Sequence, residues 1–257
     1  MTLVLAHRGA SVQAPENTLA AFRLAIEQGA DGIELDVHRT ADMQLAVIHD
    51  ETLDRTTDGT GNVRDLSMDE IRRFDAGARF VAEGDSEGDS SEWAGRGLRV
   101  PSLPEVLDWL PEGIRLVVEL KARAAAGAAA EALRDSAVGR AGRAMVISFD
   151  EASIEEVRAL DPDLPTGLLL VPRDRFERGL VWATEHGHAA VLPWEADLGL
   201  DPSGPLAQAA AFGRQVGCYV VNDVQRMQHL AAFRLWGFIT DRPDLARTAL
   251  GPRLTDG

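Results

Sequence analysis

Between Leu3 and Leu250 short apolar runs alternate with stretches of helical character, and this alternation constrains the fold more than any other feature of the chain. The runs are LVLAHRG (3–9), GIELDV (32–37), RLVVELK (115–121), AMVISF (144–149), TGLLLV (166–171), AAVLPW (189–194), CYVVN (218–222) and GFITD (237–241). Helix candidates follow near 16–28, 102–110, 125–138, 151–160, 174–186, 204–215, 225–234 and 243–250. Near-continuous apolar strands alternating with helices predict a parallel sheet covered on both faces. Eight such units in 257 residues match the count and size of a (β/α)8 TIM barrel. A chain of this length can bury a full core and still be one domain, so residues 1–257 are expected to form a single barrel domain.

One segment breaks the pattern. QLAVIHD (44–50) also reads as a strand, yet only residues 37–48 separate Asp36 from His49. A parallel crossover needs about a dozen connecting residues and usually a helix. There is no room for one. Residues 33–50 are therefore expected to form a hairpin turning near Ala41-Asp42-Met43-Gln44, which returns His49 and Asp50 to the level of Glu34 and Asp36. Residues 51–100 are then an irregular insertion after the second strand. Its acidic run from Glu83 to Glu92 reads as a solvated loop.

The formal net charge of −15 argues against nucleic acid or an anionic membrane as a partner, since both attract basic surfaces. No stretch reaches the roughly 18 apolar residues of a membrane helix, and the opening MTLVLAHRGA lacks a basic lead and a long apolar core. The single Cys218 excludes an internal disulfide and suits a reducing compartment. These features predict a cytoplasmic protein without stable membrane association. An anionic substrate would need local cations to reverse the sign at its site.

Active sites of such barrels lie at the C-terminal ends of the strands. The first strand ends in His7-Arg8-Gly9, the second in Glu34-Leu35-Asp36 and the third in Glu119-Leu120-Lys121. Residues i and i+2 of a strand share a face. Leu35 and Leu120 belong against the helices, so Glu34, Asp36, Glu119 and Lys121 are expected to look into the barrel mouth. Three converging carboxylates cannot all stay ionised without compensation. An oxygen-rich cluster without cysteine suits a hard cation, Mg²⁺ or Ca²⁺. Arg8 and Lys121 match the oxygens of a phosphoryl group. His7 and His49 can hold one acidic and one basic member near neutral pH. Acid, base, cation and phosphate grip together describe phosphoester cleavage. Taken singly, Glu34 or Glu119 could be a salt-bridge partner, and Arg8 could cap a helix or pair with an acid. His38, His186, His188 and His229 are read as structural or surface residues.

These residues resemble the glycerophosphodiester phosphodiesterase family, which includes relatives of the spider-venom sphingomyelinase D type. The matching pieces are AHRGA…APENTLAAF (6–22), GADGIELDVHRTADMQLAVIHDETLDRTTDGTG (29–61), PSLPEVLDWLP (101–111), VVELK (117–121), SFD (148–150) and TDRP (240–243). The resemblance implies a barrel with a divalent cation on Glu34, Asp36 and Glu119, and His7 and His49 as the acid–base pair. It places Arg8 and Lys121 on the phosphate of a glycerophosphodiester substrate. In the family's usual scheme a neighbouring substrate hydroxyl attacks phosphorus and water then opens a cyclic phosphate. His49 is assigned here as the acid toward the leaving alcohol, His7 as the base, and Asp50 as a group that orients an imidazole.

Where the family commonly shows Trp-Thr-Val-Asn, this chain has Tyr219-Val220-Val221-Asn222, so Tyr219 is expected to offer the aromatic face toward glycerol, with Asn222 beside it. The lead into the last strand is also shorter than the family's. Two other functions fit the same residues: lysophospholipase D-like hydrolysis of lipid phosphodiesters, and phosphodiester binding without catalysis. Oligomeric state is not legible in the sequence.

Overall fold

A computed structural model describes residues 1–82, 93–173 and 175–251. The acidic run 83–92 lies outside the described residues. Strands β1 (Leu3–His7), β2 (Gly32–Arg39), β4 (Arg115–Leu120), β5 (Ala144–Ser148), β6 (Thr166–Leu169), β7 (Ala190–Leu192), β8 (Gln215–Cys218) and β9 (Gly237–Thr240) pair in parallel. The β1–β2 pairing closes the sheet into the eight-stranded barrel expected from the alternation. Strand β3 (Leu45–Val47) runs antiparallel on β2, with Val37 opposite Val47. The turn falls at 40–44, where Thr40 N–H donates to the Gln44 carbonyl and Met43 has a φ of 66°. Ile48 N–H then reaches the Asp36 carbonyl at 3.0 Å, which brings His49 back to the rim.

Side-chain alternation divides the core in two. Leu5, Val117, Ile147, Leu169, Leu192 and Ile239 fill the barrel interior. Leu35, Val118, Leu120 and Val146 point outward, against Phe22 of α1 (Leu19–Glu27), Leu103 of α3 (Leu103–Trp109) and Leu133 of α4 (Ala126–Arg134). Helix α3 starts with a capping box between Ser102 and Glu105, with Pro104 in its first turn. Beyond α5 (Ala137–Arg140), the outer layer continues through α6 (Glu151–Leu160), α7 (Phe176–Glu185), α8 (Ser203–Ala211), α9 (Val224–Ala232) and α10 (Pro243–Leu250). Among the described residues no helix is long and apolar enough to cross a membrane.

Two expectations are corrected. Strand β8 occupies Gln215–Cys218, not 218–222, because Gly217 lies inside the strand: a Cβ there would sit 3.2 Å from Leu192 and 3.3 Å from the Gly237 carbonyl. The insertion is not wholly irregular. A 3-10 turn (Val63–Asp65) and the short helix α2 (Met68–Ile71), which has a capping box of Ser67 and Glu70, gather Leu53, Val63, Met68 and Ile71 around Ala46 and Ile48. Trp93 Nε1 donates to the Gln13 carbonyl at 3.1 Å, tying the insertion to the loop after β1.

That loop is set by a glycine. Gly9 has a φ of +91°, and a Cβ there would lie 2.6 Å from the Ala21 backbone carbon. Gly9→Ala should therefore lose about 2–5 kcal/mol, from backbone strain plus overpacking. Urea denaturation would show this as a lower midpoint, and an unchanged midpoint would contradict it.

Candidate active site

Strand register alone brings the acids to one height. His7 is opposite Glu34 across β1 and β2, and Asp36 is opposite Glu119 across β2 and β4. One carboxylate oxygen from each of Glu34, Asp36 and Glu119 lies within 4.8 Å of the other two, and all three residues are buried. Burial, followed by the charge of Asp36, pushes the Glu34 pKa up to about 8. Glu119 is raised for the same reasons. Asp36 goes the other way: burial works against its charge, but Arg8 and Lys121 hold its pKa below the usual carboxylate value.

The cations lie among the acids. Lys121 Nζ is 2.6 Å from Glu119 Oε1 and 3.2 Å from Asp36 Oδ1. Arg8 has a φ of 57°; its N–H donates to the Glu34 carbonyl at 2.8 Å. Its Nη1 donates to Glu16 Oε1 at 3.0 Å, and its Nε is 3.1 Å from Asp36 Oδ2. The last contact and the one from Lys121 are poorly aligned, and Asp36 Oδ1 is a buried oxygen without a hydrogen bond among the described residues. Three buried carboxylates, one with such an oxygen and two with raised pKa values, fit a hard divalent cation by donor chemistry and charge.

Each predicted histidine is backed by a carboxylate. His7 Nδ1 is 2.6 Å from Asp241 Oδ1, and His49 Nδ1 is 2.6 Å from Asp50 Oδ1. Both aspartates stay ionised. Burial opposes this at Asp241, but the His7 bond, helped by Asn222 and Ser11, holds its pKa at about 2. Bonds from Arg55 first, and from His49, pull Asp50 far below the carboxylate range. An ionised carboxylate only accepts, so Nδ1 of each ring carries the hydrogen and Nε2 is the nitrogen free to exchange a proton. Burial disfavours a charged His7, yet the Asp241 bond and Glu34 outweigh it and raise its pKa. At His49 burial dominates and the pKa is lowered, despite Asp36 and Asp50.

A cavity of about 240 Å³ opens over this cluster, with His7, Arg8, Glu34, His49, Glu119 and Lys121 on its polar side. Ile147, Phe149, Leu169, Tyr219, Val220 and Ile239 complete its lining. Tyr219 meets Phe149 edge-on at 5.7 Å and donates its hydroxyl to the Leu170 carbonyl. Asn222 is exposed and is not part of the cavity lining; it donates to Asp241 Oδ2 at 2.6 Å. His38 holds the His49 carbonyl at 2.9 Å, and His188 is buried between Thr166 and Glu155.

Four further residues of the site escape a reading of the sequence. Asp241 stands 234 positions from His7, and only its place at the end of the last strand could have marked it. Asn17 grips the Asp36 carboxylate at 2.8 Å from a φ of 57°, while Thr18 beside it caps α1. The Pro15–Thr18 turn is visible in the sequence, but not its reach. Glu16 and Arg55 tie the loop after β1 to the insertion at 2.7 Å, with no local signal for the pairing.

The model of the glycerophosphoryl diester phosphodiesterase family matches residues 7–245. A glycerophosphodiester phosphodiesterase of Bacillus subtilis (strain 168) is 32% identical over 255 residues, 95% of this chain and 84% of that protein. One from Caldanaerobacter subterraneus subsp. tengcongensis is 42% identical over 172 residues, 65% of this chain and 66% of that protein. Among solved structures, a glycerophosphodiester phosphodiesterase from Agrobacterium tumefaciens matches with a TM-score of 0.80 and 31% identity, over 96% of this chain and 100% of that one. An Oleispira antarctica phosphodiesterase, solved in complex with the product sn-glycerol-3-phosphate, matches with a TM-score of 0.78 and 25% identity, over 97% of both chains.

Proposed function

The chain belongs to the glycerophosphoryl diester phosphodiesterase family and is a phosphoric diester hydrolase, and from that premise we propose that it cleaves glycerophosphodiesters to sn-glycerol 3-phosphate and an alcohol. The observation that carries this reading is the buried Glu34–Asp36–Glu119 cluster beside two histidine–aspartate pairs in one cavity. The product held by the Oleispira enzyme supports the same substrate class.

In this proposal Glu34, Asp36 and Glu119 hold one divalent cation, Mg²⁺ or Ca²⁺, which supplies positive charge to the phosphoryl oxygens. Arg8 and Lys121 add to that charge and orient the phosphate. His7 Nε2 takes the proton of the glycerol 2-hydroxyl as its oxygen attacks phosphorus. His49, the more exposed of the two rings, gives its proton to the leaving alcohol at the outer side of the mouth. Water then opens the cyclic phosphate: His49 Nε2 accepts its proton and His7 returns one to the glycerol oxygen. Both rings end as they began. Asp241 and Asp50 keep each ring in the tautomer this needs.

The cavity also bears on substrate size. At about 240 Å³ it is smaller than the roughly 300–1,000 Å³ of sites that bury drug-sized ligands, which suits a phosphoglycerol unit better than an acyl chain. The lysophospholipase D-like alternative gains no support from it.

The test is release of sn-glycerol 3-phosphate from glycerophosphocholine in parallel Mg²⁺, Ca²⁺ and Mn²⁺ arms, followed by chelation. Turnover that requires a cation and stops on chelation is expected. Steady release in chelator would sink the metal assignment, and no release from a panel of glycerophosphodiesters would sink the substrate assignment.

A further inference from the structure

Arg55 comes from the insertion, outside the barrel, and its guanidinium joins Asp50, beside His49, to Glu16 of the loop after β1. Nε donates to Asp50 Oδ2 at 2.7 Å and Nη2 to Asp50 Oδ1 at 3.1 Å. Nη2 also donates to Glu16 Oε1 and Nη1 to Glu16 Oε2, both at 2.7 Å. The fork thus grips two carboxylates at once, a geometry that a point charge such as lysine cannot reproduce. Each carboxylate is in turn bound to a group in the cavity: Asp50 to His49 Nδ1 and Glu16 to Arg8 Nη1. Charges alternate along one line, from His49 through Asp50, Arg55, Glu16 and Arg8 to the buried Asp36.

We propose that Arg55 is a positioning residue for His49: it fixes the Asp50 carboxylate against Glu16 so that the imidazole is held by Nδ1 with Nε2 toward the substrate. Asp50 is the immediate neighbour of His49 on a partly exposed segment, and among the described residues Arg55 is the arginine or lysine that pairs with it. Without Arg55, Asp50 is free to turn to solvent, and the ring loses its orientation. The barrel chemistry thereby depends on a residue of the insertion. This proposal rests on the reading of His49 as a proton-transfer group.

A double-mutant cycle tests it, using Arg55→Ala, Arg55→Lys, His49→Ala and His49→Ala/Arg55→Ala with saturating Mg²⁺. Loss of a partner that orients a functional group typically costs about 10–100-fold in activity. Arg55→Ala should lower kcat on glycerophosphocholine by about that factor with KM nearly unchanged, and Arg55→Lys should recover part of it. In the His49→Ala background the same change should cost less than about twofold, since residues that act as a unit are non-additive. On the glycerol phosphodiester of p-nitrophenol, whose leaving group needs little protonation, Arg55→Ala should lose little in the first-turnover release of p-nitrophenol. Thermal unfolding of each variant, with and without Mg²⁺, checks that the fold and cation response persist. Equal losses in both backgrounds, or a rise in KM at constant kcat, would overturn the proposal alone. A His49→Ala enzyme as active as the parent would remove the catalytic reading and this proposal together.

Discussion

His49→Ala should reduce kcat on glycerophosphocholine by about 10²–10⁴-fold, the usual contribution of a positioned proton donor. When p-nitrophenol replaces choline, the first-turnover release of alcohol should recover most of that loss, while opening of the cyclic phosphate stays slow. The alcohol of choline leaves poorly as an alkoxide and needs the His49 proton; p-nitrophenolate does not. His7→Ala should be slow on both substrates, because the glycerol hydroxyl must still lose its proton in each. First-turnover assays of released choline and of p-nitrophenol give the four rates. The assignment of acid and base rests on exposure: His49 lies nearer solvent, where a variable alcohol departs, and His7 lies deeper beside Glu34. The pKa directions of the cation-free site run the other way: raised at His7, where burial is outweighed by Asp241 and Glu34, and lowered at His49 chiefly by burial. A cation held by Glu34 would offset the charge that helps to keep His7 protonated. The reverse pattern, with His7→Ala rescued by the better leaving group, would exchange the two roles. Rescue of neither would mean that the histidines are not a proton-transfer pair.

Glu34→Gln should abolish metal-dependent turnover and yet stabilise the metal-free protein above neutral pH. Burial, with the charge of Asp36 second, raises the Glu34 pKa from 4.5 to about 8. The folded protein therefore holds this proton more tightly than the unfolded chain does. Below pH 4.5 both states are protonated and nothing is lost. As pH rises from 4.5 to about 8 the unfolded chain binds fewer protons than the folded one, so stability falls, and above about 8 the loss levels off. Each tenfold difference in proton affinity between the two states is worth about 1.4 kcal/mol, so the loss is of the order of a few kcal/mol for the carboxylate cluster as a whole. Glutamine removes the buried charge at nearly constant shape. Its melting temperature without metal should exceed that of the parent by several degrees at pH 8 and match it near pH 5. Added Mg²⁺ should raise the parent at pH 8 and leave the variant unmoved. A variant that melts lower at pH 8, or that still responds to Mg²⁺, would show that Glu34 is a structural acid.

The barrel was legible because its strands are buried on both faces and so read as unbroken apolar runs, interrupted only where a strand meets the mouth. Those interruptions marked His7, Glu34, Asp36, Glu119 and Lys121, and the brevity of residues 37–48 exposed the hairpin. Gly217 hid β8, because a glycine that makes room for Leu192 and Gly237 looks locally like a turn signal. The small core of the insertion was equally hidden, since Leu53, Val63, Met68 and Ile71 follow no helical or strand period. Contacts between distant segments left the weakest trace. Asp241 behind His7, Asn17 on Asp36 and Arg55 between Asp50 and Glu16 depend on how loops meet above a closed barrel, which no local pattern encodes.

The shared cation is tested most directly by crystals grown with Mn²⁺ and measured at the manganese absorption edge. One anomalous peak is expected at the barrel mouth, within about 2.0–2.6 Å of carboxylate oxygens from Glu34, Asp36 and Glu119 together. A peak that lacks any one of the three, or a mouth without a peak at millimolar Mn²⁺, would contradict the account.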